Sequence, residues 1–182
     1  MKLNLCIIVG TTRPKRQSIH AARLIEEVGS SYEELDITFV DPSDYDLSLD
    51  GNDQENKIAE YSQVVEDADI FFIITPEYNH SFPGSLKSLL DKELSKYNHK
   101  AVAFAGVSSG MIGGARAIQA LNGVVRELGL VAVSIDVHFP RVQDMFDDDG
   151  KLINQDQVER IRKVYDELIW MGRALKKARE EK

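Results

Sequence analysis

Apolar residues run along this chain in two alternating patterns. Short unbroken runs, Leu5 to Val9, Ile37 to Val40, Ile70 to Ile74, Ala101 to Val107 and Leu130 to Ile135, have the length of strands buried on both faces of a sheet. Between them, apolar side chains return every three or four positions: Ile19, Ala22, Ile25 and Val28, then Ile58, Tyr61, Val65 and Ala68. The pattern recurs at Leu86, Leu89, Leu90 and Leu94, at Ile118, Leu121, Val125 and Leu128, and at Val158, Ile161, Tyr165, Leu168 and Leu175 before a charged tail. Such spacing predicts helices with one inward face. The first helix begins near Ser18 and Gly29 is a fair stop signal; the third strand must end where it meets Pro76.

Strands joined by helical crossovers pair in parallel, because each connection must travel back along the sheet. The expectation is an α/β fold of three layers, a doubly wound parallel sheet of five strands in the order 2-1-3-4-5. Its switch point lies between strands one and three, so the loops after strands one, three and four converge on one crevice. Asp41, Pro42, Asp44 and Gly51 lie in a polar connection after the second strand. A looser segment from Asp136 to Asp156 contains Asp147-Asp148-Asp149-Gly150, read as a surface turn: Met145 occupies the first position of a calcium loop and no Glu closes it.

Composition narrows the function. The 182 residues suit one domain, 1–182, with no repeat or linker. Thirty acids against 22 bases give a net charge of −8, which argues against nucleic-acid or anionic-membrane partners. Cys6 is the only cysteine, so neither an internal disulfide nor a cysteine metal site is available, and a cytoplasmic setting is expected. The opening MKLNLCIIVG is one strand long, without a small-residue cleavage site, and no stretch approaches the ~18 apolar residues of a membrane span.

The loops carry the chemistry. Gly10-Thr11-Thr12-Arg13-Pro14-Lys15-Arg16-Gln17-Ser18 joins a buried strand to a helix N-terminus, where unpaired N–H groups favour an anion by roughly 0.3–1 kcal/mol per contact. The alternative is a solvated loop with Ser18 as a simple N-cap. The loop lacks the Lys-[Ser/Thr] ending of a triphosphate P-loop and the three glycines of a dinucleotide fingerprint, so a phosphomonoester fits it better; Asp41 as a ribose acceptor loses support with that fingerprint. Pro76, Glu77, Tyr78 and Asn79 offer amides and an aromatic face to a flat heteroaromatic ring, or else Tyr78 and Phe82 only cover the sheet end. His80 alone reads as a solvent or packing residue. Gly106-Val107-Ser108-Ser109-Gly110 matches GxSxG, which would make Ser108 a hydrolase nucleophile, but the helix begins only after Gly113 or Gly114, and Asp136 and His138 are too close together for separated triad partners. Small residues there equally let a ring edge reach backbone N–H groups.

Two motifs, GTTRPKRQS and PEYNHSFPGSLKSLLD, together with SSGMIGGARA, resemble the NADPH-dependent FMN reductases of flavodoxin-like fold, which include azo dye, quinone and chromate reductases. The resemblance implies noncovalent FMN, its phosphate held by Thr11, Arg13, Gln17 and Ser18. It puts the ring on Pro76, Glu77, Tyr78 and Asn79, with Ser108, Ser109 and Gly110 at the pyrimidine side. It further implies NADPH or NADH as reductant, a small-molecule electron acceptor (a flavin, quinone, azo compound or metal oxyanion), and a homodimer or homotetramer. Ser88 and Leu89 replace the usual Asn-Ala pair, and Lys92 the common Trp. Hydride passing between stacked rings needs orientation rather than an acid, base or nucleophile, so no catalytic side chain is assigned. A flavodoxin-type electron carrier and a serine hydrolase using Ser108 are the competing readings.

Overall fold

Alternate side chains of the central strands point to opposite faces, and both faces are dry. The structure is a computed structural model describing residues 1–47 and 57–181, so Gly51 of the expected polar connection lies outside the described residues. The elements are β1 (Leu3–Val9), α1 (Ser18–Gly29), β2 (Leu35–Val40), α2 (Ala59–Asp67), β3 (Ile70–Pro76), α3 (Gly84–Leu90), β4 (Ala101–Val107), α4 (Ala115–Glu127), β5 (Val131–Ala132), β6 (Val137–Phe139) and α5 (Asp156–Glu180). Every strand pairing is parallel, in the order β2-β1-β3-β4-β5 with β6 also on β4. On one face Leu5, Ile7, Ile70 and Phe72 pack with Ile25 of α1 and Tyr165 and Leu168 of α5. On the other, Ile8, Phe71 and Ile73 meet Tyr61, Leu86 and Leu121 from α2, α3 and α4. Each such side chain is worth about 1.5–3 kcal/mol of burial, which outweighs any local preference and fixes the three layers.

The fifth strand is not one run. β5 pairs with the start of β4 and β6 with its end, and the register shifts by two residues between Val102↔Ala132 and Ala105↔Val137. Ser134, Ile135 and Asp136 are extruded to the surface between them, because an edge position has a neighbour on one side only and tolerates an insertion. Pro76 closes β3 from within, opposite Val107. β1 ends earlier, at Val9 opposite Ile74, so no strand on that side needs the N–H that Pro76 lacks.

Leu94 does not continue the α3 face. The helix stops at Leu90, Leu94 is 55% exposed, and Tyr97 fills the core instead, its hydroxyl 2.6 Å from that of Tyr61 and donating to Leu90 O at 3.2 Å. At the amino edge of the sheet, Asp69 accepts from Lys176 at 2.7 Å, Arg179 at 3.0 Å and the Asn4 N–H at 3.0 Å, which fastens the end of α5. The acidic run is a surface turn, with Asp147 Oδ1 accepting the N–H groups of Asp149 and Lys151.

Candidate functional site

Three loops meet at the carboxyl edge. The first, between β1 and α1, starts at Gly10, where a Cβ would lie 2.7 Å from Ile74 O; only glycine lets the loop run this close to β3. Arg16, which also lines the cavity between the loops, pairs with Asp41 and reaches Ser43 Oγ at 3.3 Å. Asp41, which also caps the short 3-10 turn at Pro42–Asp44, is thus an anchor for the loop. Gln17, not Ser18, holds the N-cap position, and no side chain caps α1. Ser18 is buried with its hydroxyl unpartnered, and among the described residues the N–H groups of Gln17 and Ser18 have no partner either. A helix end that leaves its N–H groups open beside a buried, unpartnered hydroxyl is suited to an external acceptor.

In the loop after β3, Asn79 and His80 both have positive φ, 51° and 65°, and Tyr78 and Ser81 exchange backbone hydrogen bonds of 2.8 and 3.0 Å. This is a two-residue turn with left-handed centre residues, and asparagine and histidine are both among the non-glycine residues that adopt that conformation most readily. It fixes Tyr78 so that its hydroxyl lies 3.0 Å from Thr11 Oγ1, which also accepts the Arg13 N–H at 3.2 Å. Glu77 donates its N–H to Val107 O at 3.0 Å, and its carboxylate receives Arg116 Nη1 at 3.3 Å on Oε1, while Oε2 is buried and unpartnered.

The loop after β4 is strapped down by the segment following β6: Val142 N–H to Ser108 O at 3.1 Å, Arg141 N–H to Gly110 O at 2.9 Å, and Gln143 Nε2 to Ser109 O at 3.4 Å. Gly114, at φ 78°, lets α4 begin against the end of β4, since a Cβ there would meet Val107 N at 2.4 Å. The N–H groups of Ser109 and Gly110 have no partner among the described residues. Ser108 Oγ donates to Gly110 O at 3.2 Å, and His138 Nδ1 sits 3.2 Å from Gly113 O. No hydrogen bond joins Ser108 to His138 or Asp136 among the described residues, and α4 starts at Ala115 rather than at the serine, so the nucleophile–base contact of a hydrolase is missing.

Between the loops lies a cavity of about 580 Å³ lined by Thr11, Arg13, Gln17, Ser18, Pro76, Glu77, Tyr78, Ser108 and Ser109. Asn79 lines an adjoining cleft of about 640 Å³, with Thr11, Arg13, Glu77 and Tyr78 shared between the two, and Gly110 lies outside both. Val142 and Gln143 also line the cavity. Nothing in the sequence singles them out, since they reach it only because β6 returns the chain to the same edge. The unpartnered Ser18 hydroxyl, the open end of α1 and Arg13 suit a phosphomonoester, and the free N–H groups of Ser109 and Gly110 suit the carbonyl edge of a flat ring, so the residues present fit FMN.

Sheet order, covered faces and a cleft at the switch point define a flavodoxin-like fold. The pattern described as NADPH-dependent FMN reductase matches residues 3–144, and the chain belongs to that family. It is 30% identical to a 2-hydroxy-1,4-benzoquinone reductase of Burkholderia sp over 169 residues, covering 86% of this chain and 88% of the relative. It is 29% identical to the NAD(P)H-dependent FMN reductase LOT6 of Saccharomyces cerevisiae over 155 residues, 72% of this chain and 80% of the relative. Among solved structures, the flavoenzyme NAD(P)H:(acceptor) oxidoreductase FerB of Paracoccus denitrificans shares the fold at a TM-score of 0.74 and 20% identity, covering 94% of this chain and 98% of that one. The chain is an oxidoreductase that uses FMN and a nicotinamide reductant, and neither the electron-carrier nor the hydrolase reading is favoured.

Proposed function

We propose that residues 1–182 form one FMN-binding domain that reduces a small planar acceptor of the quinone type at the expense of NAD(P)H. The observation that carries this is the unfilled hydrogen-bonding capacity around one cavity, the Ser18 hydroxyl and the Gln17, Ser18 and Ser109 N–H groups, with the Gly110 N–H next in the chain to its lining. Arg13, Thr11, Gln17 and Ser18 bind the phosphate; Pro76, Glu77, Tyr78 and Asn79 make the wall that orients the ring, and Ser108, Ser109 and Gly110 meet its pyrimidine edge. When bound, FMN supplies the redox chemistry, taking up hydride equivalents from the nicotinamide and releasing them to the acceptor. The protein's own part is to fix geometry and leave one ring face open.

A quinone-type acceptor is supported by the relative named for a benzoquinone. Exposed Met111 and Ile112 on the loop after β4 support a homodimer or homotetramer in which a second chain covers them. No helix among the described residues is long and apolar enough to cross a membrane, and with the single buried thiol of Cys6 this supports a cytoplasmic setting. Purified protein mixed with FMN is expected to retain flavin through gel filtration, to lose its visible flavin bands within seconds of adding NADPH without air, and to regain them on adding a benzoquinone. Retained flavin that NADPH leaves unbleached would refute the enzyme and restore the carrier.

A further inference from the structure

Arg116 stands where a cation is disfavoured. It is the second residue of α4, at the positive end of the helix dipole, in a first turn that holds no acid. Its Nη1 crosses to the neighbouring loop and donates to Glu77 Oε1 at 3.3 Å. The two partners are unequal, since the Glu77 side chain is 12% exposed and that of Arg116 44%. Glu77 Oε2 is buried with no hydrogen bond among the described residues. A carboxylate satisfied on one oxygen only is costly in the wall of a cavity, and such a cost persists where the charge acts on something. Glu77 lines the cavity proposed to hold FMN, and any role for its charge there rests on FMN being the occupant.

We propose that the Glu77–Arg116 pair sets the reduction potential of FMN in this cavity. Glu77 lowers the potential, and Arg116 is a positioning residue that holds the carboxylate in place and partly neutralises it. The oxidised ring is neutral. Taking up a hydride from NAD(P)H, two electrons and one proton, leaves the reduced ring with one negative charge. A carboxylate in the wall therefore opposes the reduced form more than the oxidised one, and the guanidinium moderates that opposition.

The test measures dissociation constants of oxidised and reduced FMN for the wild-type protein, Glu77→Gln, Arg116→Ala and Arg116→Lys, together with midpoint potentials from anaerobic dithionite titration against a reference dye. In Glu77→Gln the reduced form should gain on the oxidised form by about tenfold, an upward shift of about 30 mV for a two-electron couple. Arg116→Ala should shift the potential downward, and Arg116→Lys, which keeps the charge, should return it close to wild type. Equal weakening of both redox forms with unmoved potentials would overturn the proposal and leave the pair a mere tether between β3 and α4. A wild-type protein that binds no FMN would overturn the cofactor reading and this proposal together, an outcome distinct from tight binding with unmoved potentials. Glu77→Gln keeps a hydrogen-bonding partner for Arg116, so it and Arg116→Lys carry the test should Arg116→Ala fail to fold.

Discussion

Thr11 Oγ1 and the Tyr78 hydroxyl lie 3.0 Å apart, a contact between the loops after β1 and β3 made by residues 67 positions apart in the chain. Thr11 is almost fully buried, and the same oxygen accepts the Arg13 N–H at 3.2 Å. One hydroxyl therefore holds the aromatic wall against the loop proposed to carry the phosphate.

Tyr78→Phe removes this link and leaves the ring in place. A neutral hydrogen bond is worth about 0.5–1.5 kcal/mol, so FMN affinity should fall roughly twofold to tenfold. The melting temperature should drop by a few degrees, on the scale of about 2–4 °C per kcal/mol for a chain of this size. Fluorescence titration with FMN and a thermal scan check both, and an unchanged dissociation constant would mean that Tyr78 does not position the loop.

Ser18→Ala separates folding from binding. Its Oγ has no partner among the described residues, so the substitution should leave the urea midpoint unchanged or raise stability by up to about 1 kcal/mol, because no hydrogen bond among them is lost. FMN binding should weaken all the same. Arg13→Ala should weaken it further, by roughly ten- to 150-fold if a charge-assisted bond of ~1.5–3 kcal/mol is removed. Riboflavin, which lacks the phosphate, should bind the wild-type protein and both variants alike. Equal losses for FMN and riboflavin would place these residues away from the phosphate.

Lys100 gives a pH dependence with a definite sign. It is 7% exposed, and its Nζ donates to Val65 O at 2.7 Å and Glu66 O at 2.9 Å at the end of α2. Burial first, and the charge of Arg179 second, bring its pKa down to about 8. Below that value both the folded and unfolded chains hold the proton and the fold bears the full cost of a buried charge. Between about 8 and the ordinary lysine value the unfolded state holds more protons, so Lys100 makes stability rise with pH, by up to about 3 kcal/mol across the window. Urea midpoints of wild type and Lys100→Met across that window should diverge in favour of the wild type. Parallel profiles would show that the amine titrates normally.

The sequence by itself determined the layers and most of their boundaries. Runs such as Ile70 to Ile74 and Ala101 to Val107 are apolar at every position and of strand length, which suits a strand covered on both faces, and Ser18 to Gly29 has the helical period between a fair start and a stop. The three loops were legible for the same reason. Each follows a run that must be a central strand, and their residues are polar where the core cannot use them.

Tertiary structure decided what depends on neighbours far along the chain. Leu94 fits a helical stripe, yet Tyr97 reaches the Tyr61 hydroxyl and takes the core position, a choice between two apolar candidates that periodicity cannot rank. The split of the edge strand into β5 and β6 follows from having one neighbour rather than two, and it brings Gln143 and Val142 to the cavity. Arg116 reads locally as a solvent residue misplaced at a helix start, and only the approach of α4 to the loop after β3 gives it Glu77 as a partner. Burial periodicity is a local property written in the chain; which polar groups meet across loops depends on how the layers stack.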